Sequence, residues 1–276
     1  MSQETHEATA AELDWIAPAA VASRVVEDAR EISAISRETP WRVRATASGD
    51  AALIGRWREH LDDCAVLGIW CAPRRVPALI ADLERVAAVQ GFSRLVGPLV
   101  PEEAAPPYLS AGLRVVERVV LMRLEHPQRA CRHEPAPRGF GIRVASPEDL
   151  PGVFAVDADS FDDFWRYDEP QLDRYMRTER AAVATVEGRT VGYTLANVRG
   201  GEGSLGRLAV SPAARRGGIG RGLACDALGW LVRNGARTVT LSRQEHNAGA
   251  AGLYHAIGFR DLRGALVITV SQELRV

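Results

Sequence analysis

The sequence contains no lysine, so all 34 of its basic side chains are arginines. The 35 acidic residues balance them to a net charge of −1, which argues against a generally basic nucleic-acid-binding surface. No apolar run approaches the roughly 18 residues that a membrane-spanning helix needs. The abundance of arginine and alanine is typical of coding bias in a high-GC bacterial genome. We therefore expect a protein that binds neither nucleic acid nor membrane.

Cysteine is also scarce, and the four residues show no paired spacing: Cys64, Cys71, Cys131 and Cys225. Scattered cysteines in a chain of 276 residues predict free thiols in a reducing compartment. Residues 1–11 are polar and acidic, unlike a signal peptide, which favours the cytoplasm. No group of histidine, cysteine and acidic residues has metal-ligand spacing, because the pair Cys131 and His133 stands alone, so no metal is expected.

The chain divides near its middle. Its length and a hydrophobic content of 46% fit two domains of ordinary size. Residues 126–139 contain three prolines and four charged residues without apolar periodicity, which predicts a linker. The predicted order is a flexible N-terminus (1–13), a first domain (14–126), a linker (127–139) and a second domain (140–276).

The two halves share a faint internal repeat. In each half a helix pattern ends at a glycine, an apolar strand follows, and a tyrosine then lies four residues before another glycine. Tyr108 and Gly112 have this spacing in the first half, and Tyr254 and Gly258 have it in the second. Chance could supply any one match, but the shared order favours a tandem duplication.

The second half contains a glycine-rich stretch between a predicted strand (205–210) and a predicted helix (219–233). Glycines let a backbone approach a ligand closely, and the first turn of a helix adds unpaired N–H donors and a positive dipole end. Together they predict an anion site suited to a pyrophosphate, with Arg215, Arg216 and Arg221 at its rim. Neither the Walker pattern nor the dinucleotide pattern fits. The alternative is a glycine turn that only caps the helix.

Two ordered motifs in the second half resemble those of the GNAT N-acetyltransferase superfamily. Its coenzyme A loop is similar to Leu208-Ala209-Val210 followed by Arg215-x-x-Gly218-x-Gly220. Its later motif is similar to Asn247-x-x-Ala250-x-x-Leu253-Tyr254-x-x-x-Gly258-Phe259. The resemblance covers about residues 141–270. It implies that main-chain N–H groups of one segment hold the cofactor pyrophosphate: Arg216, Gly217, Gly218, Ile219, Gly220 and Arg221.

The resemblance implies an α/β (α+β) fold with two GNAT-like domains, each a mixed, mostly antiparallel twisted sheet flanked by helices. The first half resembles a degenerate copy. Its counterpart of the loop is Arg74-Arg75-Val76-Pro77-Ala78, in which Pro77 removes an N–H donor and Val76 adds bulk. We therefore expect only the second half to bind coenzyme A productively.

The activity implied by the resemblance is transfer of the acetyl group of acetyl-coenzyme A to a primary amine by direct attack. The backbone of Leu208, Ala209 and Val210 would pair with the pantetheine arm, and the Val210 amide could hold the thioester oxygen. Tyr254 matches the general acid that protonates the leaving thiolate. Asn247 would contact the cofactor arm, with capping of the following helix as the alternative.

The attacking amine must lose a proton, and Glu202 and Glu245 are the candidate bases, with His246 a third possibility. For the acceptor site the sequence offers an acidic and aromatic segment whose residues suit a cationic amine: Asp159, Phe161, Phe164 and Trp165, flanked by Asp157, Asp162 and Asp163. A solvated acidic loop with aromatic packing anchors is the alternative. The acceptor is expected to be a small molecule or a peptide, and the protein a monomer or homodimer.

Two other functions fit the same features. One is a mycothiol-synthase-like enzyme, which is also a tandem protein of this superfamily. The other is a coenzyme A-binding sensor or regulatory module without turnover. An intact Tyr254 and an open acidic acceptor segment favour catalysis over the sensor.

Overall fold

The computed structural model describes residues 4–23, 25–26, 28–58, 62–131 and 139–274. The chain forms two compact units. The N-terminal unit is Met1–Arg118 together with Gly264–Val276, and the C-terminal unit is Val119–Arg263. The units thus differ from the predicted domains, 14–126 and 140–276, because each half of the chain contributes its last strand to the other half's unit.

The N-terminal unit contains a sheet in the order β1-β2-β3-β4-β5, antiparallel except for the parallel pair β4 and β5. Residues 266–270, from the end of the chain, complete it by pairing antiparallel with β5 and β6. Its elements are β1 (His6–Glu7), α1 (Ala10–Ala22), α2 (Ala29–Glu38), β2 (Val43–Ala45), β3 (Ala51–Arg56), β4 (Asp63–Trp70), α3 (Val76–Val89), β5 (Arg94–Val96), β6 (Val100–Pro101) and α4 (Pro106–Ser110).

The C-terminal unit has a matching sheet, β8-β9-β10-β11-β12, in which only β11 and β12 are parallel. Residues 119–124 of β7 complete it by pairing antiparallel with β12. The remaining elements are β7 (Arg114–Leu124), β8 (Gly141–Val144), α5 (Leu150–Ser160), α6 (Glu169–Thr178), β9 (Arg180–Val186), β10 (Arg189–Arg199), β11 (Glu202–Val210), α7 (Ile219–Arg233), β12 (Thr238–Gln244), α8 (Ala248–Ile257) and β13 (Arg260–Val270). These mixed, mostly antiparallel sheets flanked by helices confirm the expected fold class.

A β-bulge interrupts the pairing of β10 with β11. Leu195 pairs with Arg207 and Ala196 with Leu205, so Gly206 is an extra residue in β11. On its other edge β11 pairs with β12 only as far as Ser204, among the described residues. The backbone of residues 206–210 therefore has an open edge on which a ligand can add like a further strand.

Within the predicted N-terminal segment 1–13, the described residues 4–13 carry secondary structure and hydrogen bonds. Strand β1 pairs with β2, and Thr9 caps α1 in a reciprocal capping box with Glu12. The Thr5 backbone N–H also donates to Asp82 at 2.8 Å. These local and long-range hydrogen bonds order a segment whose polar composition alone suggests mobility.

The prediction of four free thiols is wrong, because Cys131 and Cys225 form a disulfide. The two residues are 94 positions apart, and Cys225 lies in α7, so spacing along the chain does not reveal the bond. Cys64 and Cys71 are free. His133 of the weak Cys131–His133 pair and most of the predicted linker (132–138) lie outside the described residues. None of the helices that the structure describes is long and apolar enough to cross a membrane.

Candidate active site in the C-terminal unit

The segment between β11 and α7 has the backbone geometry of an anion site. A short 3-10 turn, Pro212–Ala214, leads into residues 215–218, of which Arg216 (φ +68°) and Gly218 (φ +81°) are in the left-handed region. Gly218 is the N-cap of α7, and no side chain caps the first turn of that helix. Its leading N–H groups are therefore left for a ligand, in the arrangement that binds phosphates.

Arg215 has a structural contact in this loop. Its Nε donates to the Val210 carbonyl at 3.0 Å, and Ser160 Oγ donates to the same oxygen at 3.2 Å. The two donors tie the loop and the end of α5 to the last residue of β11. Arg215 therefore fixes the position of the loop, whereas Arg216 is exposed at its tip.

The first turn of α7 lies directly over the end of β11 and over α8. A Cβ added at Gly220 would be 3.5 Å from Leu253, 3.7 Å from Val210 and 3.8 Å from Leu208. Gly192 in β10 allows the close approach of α7, since a Cβ there would lie 3.0 Å from Leu223 and 3.3 Å from Ile219 of that helix. The structure thus brings together the strand, the loop and the later motif on which the predicted cofactor site depends.

Tyr254 and Asn247 lie in and before α8. Tyr254 is 7% exposed, and its ring lies edge-on to Phe259 with centroids 5.8 Å apart. Burial raises the pKa of Tyr254 to about 12, so the side chain stays a phenol and keeps its proton for donation. Asn247 caps α8, because its Oδ1 accepts from the Ala250 N–H at 3.0 Å. This cap is the alternative that the sequence left open, and it leaves the Nδ2 donor of Asn247 unused by the cap.

The carboxylates considered as bases lie in different places. Glu202 is exposed and begins β11, eight residues before Val210, which is about 26 Å along a strand. Glu202 is also four residues, about 13 Å of extended strand, from Gly206, which argues against it as a base for a thioester held anywhere between Gly206 and Val210. Glu245 and His246 are exposed and follow the end of β12, on the edge of the sheet where β11 also ends. Glu245 therefore remains at the correct edge.

The acidic and aromatic acceptor segment differs from its prediction in one respect. The Arg207 guanidinium covers the Phe161 ring, 3.5 Å from its centroid, so this ring face is already occupied by a cation of the protein itself. Asp159 is exposed on α5, while Phe164 and Trp165 are half-buried with their rings edge-to-face at 5.5 Å. Asp159, Phe164 and Trp165 remain accessible, whereas Phe161 supports Arg207.

Arg207 belongs to a buried cluster that the sequence analysis missed. Its Nη2 lies 2.6 Å from Asp157 Oδ2, and neither residue is more than 7% exposed. Tyr193 donates its hydroxyl to the same carboxylate, and burial raises the pKa of Tyr193 well above 10. The Arg207 Nη2 also donates to the Trp165 carbonyl at 2.9 Å. The cluster therefore fixes the acceptor segment against β11.

A sequence signal for this cluster existed. Asp157 lies four residues after Val153, and both are on the buried face of α5. A carboxylate on an apolar helix face needs a buried partner, and the arginine within the apolar strand β11 supplies it. Glu179, which follows α6, is a second residue that the sequence analysis did not select.

The corresponding loop of the N-terminal unit is shorter. After β4, the 3-10 turn Pro73–Arg75 leads directly into α3, whose N-cap Arg75 is in the right-handed region at φ −98°. Val76 is 5% exposed, and Arg75 Nη2 forms an ion pair with Asp50 at 2.6 Å. No side chain caps α3 either, but Pro77 removes one of its leading donors and the chain has no counterpart of residues 215–218.

Comparisons with known proteins agree with this geometry. Residues 150–259 match the model of the acetyltransferase (GNAT) family. A GCN5-related N-acetyltransferase from Sphaerobacter thermophilus is similar over 99% of this chain and 96% of its own, with 17% identity and a TM-score of 0.67. A tandem GNAT protein from the clavulanic acid biosynthesis pathway is similar over 85% of this chain and 83% of its own, with 17% identity and a TM-score of 0.61. No curated protein sequence matches.

The C-terminal part of the chain is therefore a GNAT-family domain, and the chain as a whole has the fold of tandem GNAT proteins. The N-terminal half is GNAT-like in structure although the family model does not extend to it. The resemblance drawn from the sequence is confirmed. This fold supports acyl transfer in general.

Proposed function

We propose that the C-terminal unit transfers the acetyl group of acetyl-coenzyme A to a primary amine by direct attack. The observation that supports this most strongly is the uncapped first turn of α7, next to two left-handed residues and the open edge of β11. An anion site beside an unpaired strand edge suits a ligand that has a pyrophosphate at one end and an amide-containing arm at the other.

The cofactor would lie along this surface. Main-chain N–H groups of residues 216–221 would hold the pyrophosphate, and Leu208, Ala209 and Val210 would pair with the pantetheine arm. One N–H of this strand would hold the thioester oxygen as it gains charge. The sequence motif points to the Val210 N–H as that donor. A pantetheine arm that runs further along the open edge would bring the thioester oxygen to the backbone of Leu208 instead. The N-terminal unit has no equivalent loop and would bind no cofactor.

The reaction needs one acid and one base. The amine nitrogen forms a bond to the acetyl carbon, the carbon–sulfur bond breaks, and the thiolate takes the Tyr254 proton. A buried phenol is well suited to this step, because its pKa of about 12 keeps it protonated over the range in which an ordinary alkylamine loses its proton. Asp159, Phe164 and Trp165 would line the approach of the acceptor, a small molecule or a peptide amine.

An amine-panel assay tests this function. Purified protein is mixed with acetyl-coenzyme A and each amine, and free thiol release is followed for wild type and Tyr254→Phe. We expect release with at least one amine and a lower rate for the variant. Tight coenzyme A binding without thiol release from any amine would contradict catalysis and support the sensor function.

A further inference from the structure

We propose that Glu179 is the general base that accepts the proton of the attacking amine. This inference rests on the proposed acetyltransfer and names a residue that the sequence motifs do not include. Glu179 lies between α6 and β9 and is half-buried. The inference rests on the position of Glu179 relative to the bulge in β11.

One oxygen of Glu179 is held and the other faces the bulge. Asn197 Nδ2 donates to Glu179 Oε1 at 3.1 Å, which fixes the carboxylate. Glu179 Oε2 lies 3.6 Å from the position where Gly206 would carry a Cβ. Because Gly206 has no side chain and is exposed, an acceptor can approach Oε2 from the solvent side of the bulge. Oε2 is therefore the oxygen that accepts the proton.

The bulge is also where the thioester would end. Gly206 precedes Val210 by four residues, about 13 Å of extended strand. The pantetheine arm contains two amide groups and spans about four residues of extended chain. An arm that starts at the first turn of α7 and runs back along the open edge of β11 therefore brings its thioester toward Gly206, beside Glu179.

The duplicated fold provides an internal comparison. In the N-terminal unit Leu53 pairs with Gly68 and Ile54 with Val66, so Leu67 is the extra residue of an equivalent bulge. The position of Gly206 in one unit thus corresponds to that of Leu67 in the other. Leu67 carries a side chain, 40% exposed, at the position where Gly206 has none.

The N-terminal unit has no carboxylate at the position that corresponds to Glu179. By strand register that position is Trp41, because Leu53 pairs with Val43 as Leu195 pairs with Ala181. The next residue, Arg42, donates its Nε to the Ile54 carbonyl at 3.0 Å. Its guanidinium also lies against Gly55, 2.7 Å from the position of a Cβ there. A guanidinium cannot accept a proton from an amine. The unit with the complete cofactor loop is therefore the one that has a carboxylate beside an open bulge.

The chemistry balances without a further reactant. An ammonium N–H proton passes to Glu179 Oε2, the free amine attacks the acetyl carbon, the carbon–sulfur bond breaks, and the thiolate takes the Tyr254 proton. The nitrogen that is now bonded to the acetyl carbon gives up its second proton, which restores the Tyr254 phenol, and Glu179 loses its proton to solvent. Burial raises the pKa of Glu179, which improves its match to an ammonium proton, while Asn197 and Arg199 oppose that rise.

The test compares acceptors of different basicity in Glu179→Gln, which keeps the shape of the side chain and an acceptor for Asn197. For an alkylamine that is protonated at the assay pH, we expect kcat/KM to fall about 100-fold or more. For an acceptor that is already unprotonated, such as a hydrazide, we expect less than about a threefold change, because no base is needed. Coenzyme A affinity, measured by calorimetry, should not change. Glu169→Gln, an exposed residue at the start of α6, is the matched control.

The outcomes separate this inference from the proposed function. Wild-type activity in Glu179→Gln, an equal loss for both acceptors, or the selective loss appearing in Glu245→Gln instead would overturn the base assignment while leaving acetyltransfer intact. No thiol release by the wild type with any acceptor would overturn both.

A second variant tests the open bulge. Gly206→Leu copies the residue that the equivalent bulge of the N-terminal unit carries, so the fold should tolerate it. We expect acetyl transfer to fall at least tenfold for both classes of acceptor, with coenzyme A affinity unchanged. Full activity in this variant would show that the acceptor does not approach through the space beside Glu179.

Discussion

The strand-to-helix loops of the two units both contain a proline-led 3-10 turn, but only the C-terminal loop has four further residues between that turn and the helix. The turns are Pro73–Arg75 and Pro212–Ala214. In the N-terminal unit α3 follows at once, so the loop has five residues (71–75). In the C-terminal unit residues 215–218 intervene, and the loop has eight (211–218). The fold therefore does not require these four residues, which belong to the segment that we propose as the anion site.

A second difference lies in the strand before each loop. Arg207 of β11 corresponds to Gly68 of β4, because each pairs with the residue that precedes the bulge shift, Leu195 or Leu53. Arg207 forms the buried ion pair with Asp157, and Gly68 has no side chain to form one. The segment after α5 is thus tied to β11 by an ion pair, which the matching position of β4 in the N-terminal unit cannot form.

The largest expected effect is on stability. Arg207→Met leaves the Asp157 carboxylate buried without its cation and should lower the free energy of unfolding of the C-terminal unit by about 3–5 kcal/mol. Urea denaturation measures it. The double variant Arg207→Met, Asp157→Leu should recover much of the loss, because both charges are then gone. A loss below about 1 kcal/mol in the single variant would show that the pair does not fix the segment.

A smaller effect should distinguish the two equivalent tyrosines. Tyr254→Phe removes the proposed acid and should lower kcat by about 10-fold to 100-fold with little change in coenzyme A affinity. Tyr108 has the same spacing to its glycine, is 6% exposed, and has a pKa that burial raises to about 12. Tyr108→Phe is therefore the matched control, and kcat should be unchanged. Equal losses in the two variants would contradict the assignment of catalysis to the C-terminal unit.

Two glycines of the loop should respond unequally. Gly218 is at φ +81°, so Gly218→Ala forces a left-handed alanine at a cost of about 1–2 kcal/mol. Coenzyme A affinity should fall about tenfold, as titration calorimetry can measure. Gly217 has no positive φ, and a Cβ there would lie 3.7 Å from the Ala214 carbonyl, so Gly217→Ala should have little effect. The reverse order would mean that Gly218 does not shape the site.

The smallest expected effect is in the alkaline pH profile. Tyr254 is the donor in its protonated form, which is lost only as pH rises through its pKa of about 12. The rate should therefore rise as the amine loses its proton and should not decline up to about pH 10, the ordinary pKa of tyrosine. The stability that a neutral, buried Tyr254 provides is likewise complete below about pH 10 and lost above it. A fall in rate below pH 9 that disappears in Tyr254→Phe would contradict this ionisation behaviour.

Local patterns were sufficient to predict the helices and the loop. The helix over 219–233 and its preceding strand follow from apolar periodicity and glycine placement, and α7 has those bounds. The loop geometry that we propose as an anion site was predictable as well, because it depends on consecutive residues. The Gly218 N-cap without a side-chain partner agrees with that prediction.

Contacts between distant residues were not predictable. Asp157 and Arg207 each stand out as a charge within an apolar element, but no local pattern pairs two residues 50 positions apart, and none marks Cys131 and Cys225, which are 94 apart. The carboxylates illustrate the same limit. Glu202 is near β11 in sequence but lies at its far end, whereas Glu179 reaches the bulge only because β9, β10 and β11 are neighbours in the sheet.

Calorimetry with coenzyme A tests most directly whether residues 215–218 form the cofactor site. The wild type should bind one molecule per chain. Deletion of residues 215–218, which joins the 3-10 turn directly to the helix as in the N-terminal unit, should abolish binding while the circular dichroism spectrum stays unchanged. Two molecules per chain in the wild type, or one molecule still bound with similar affinity after the deletion, would contradict the assignment of the site to these four residues.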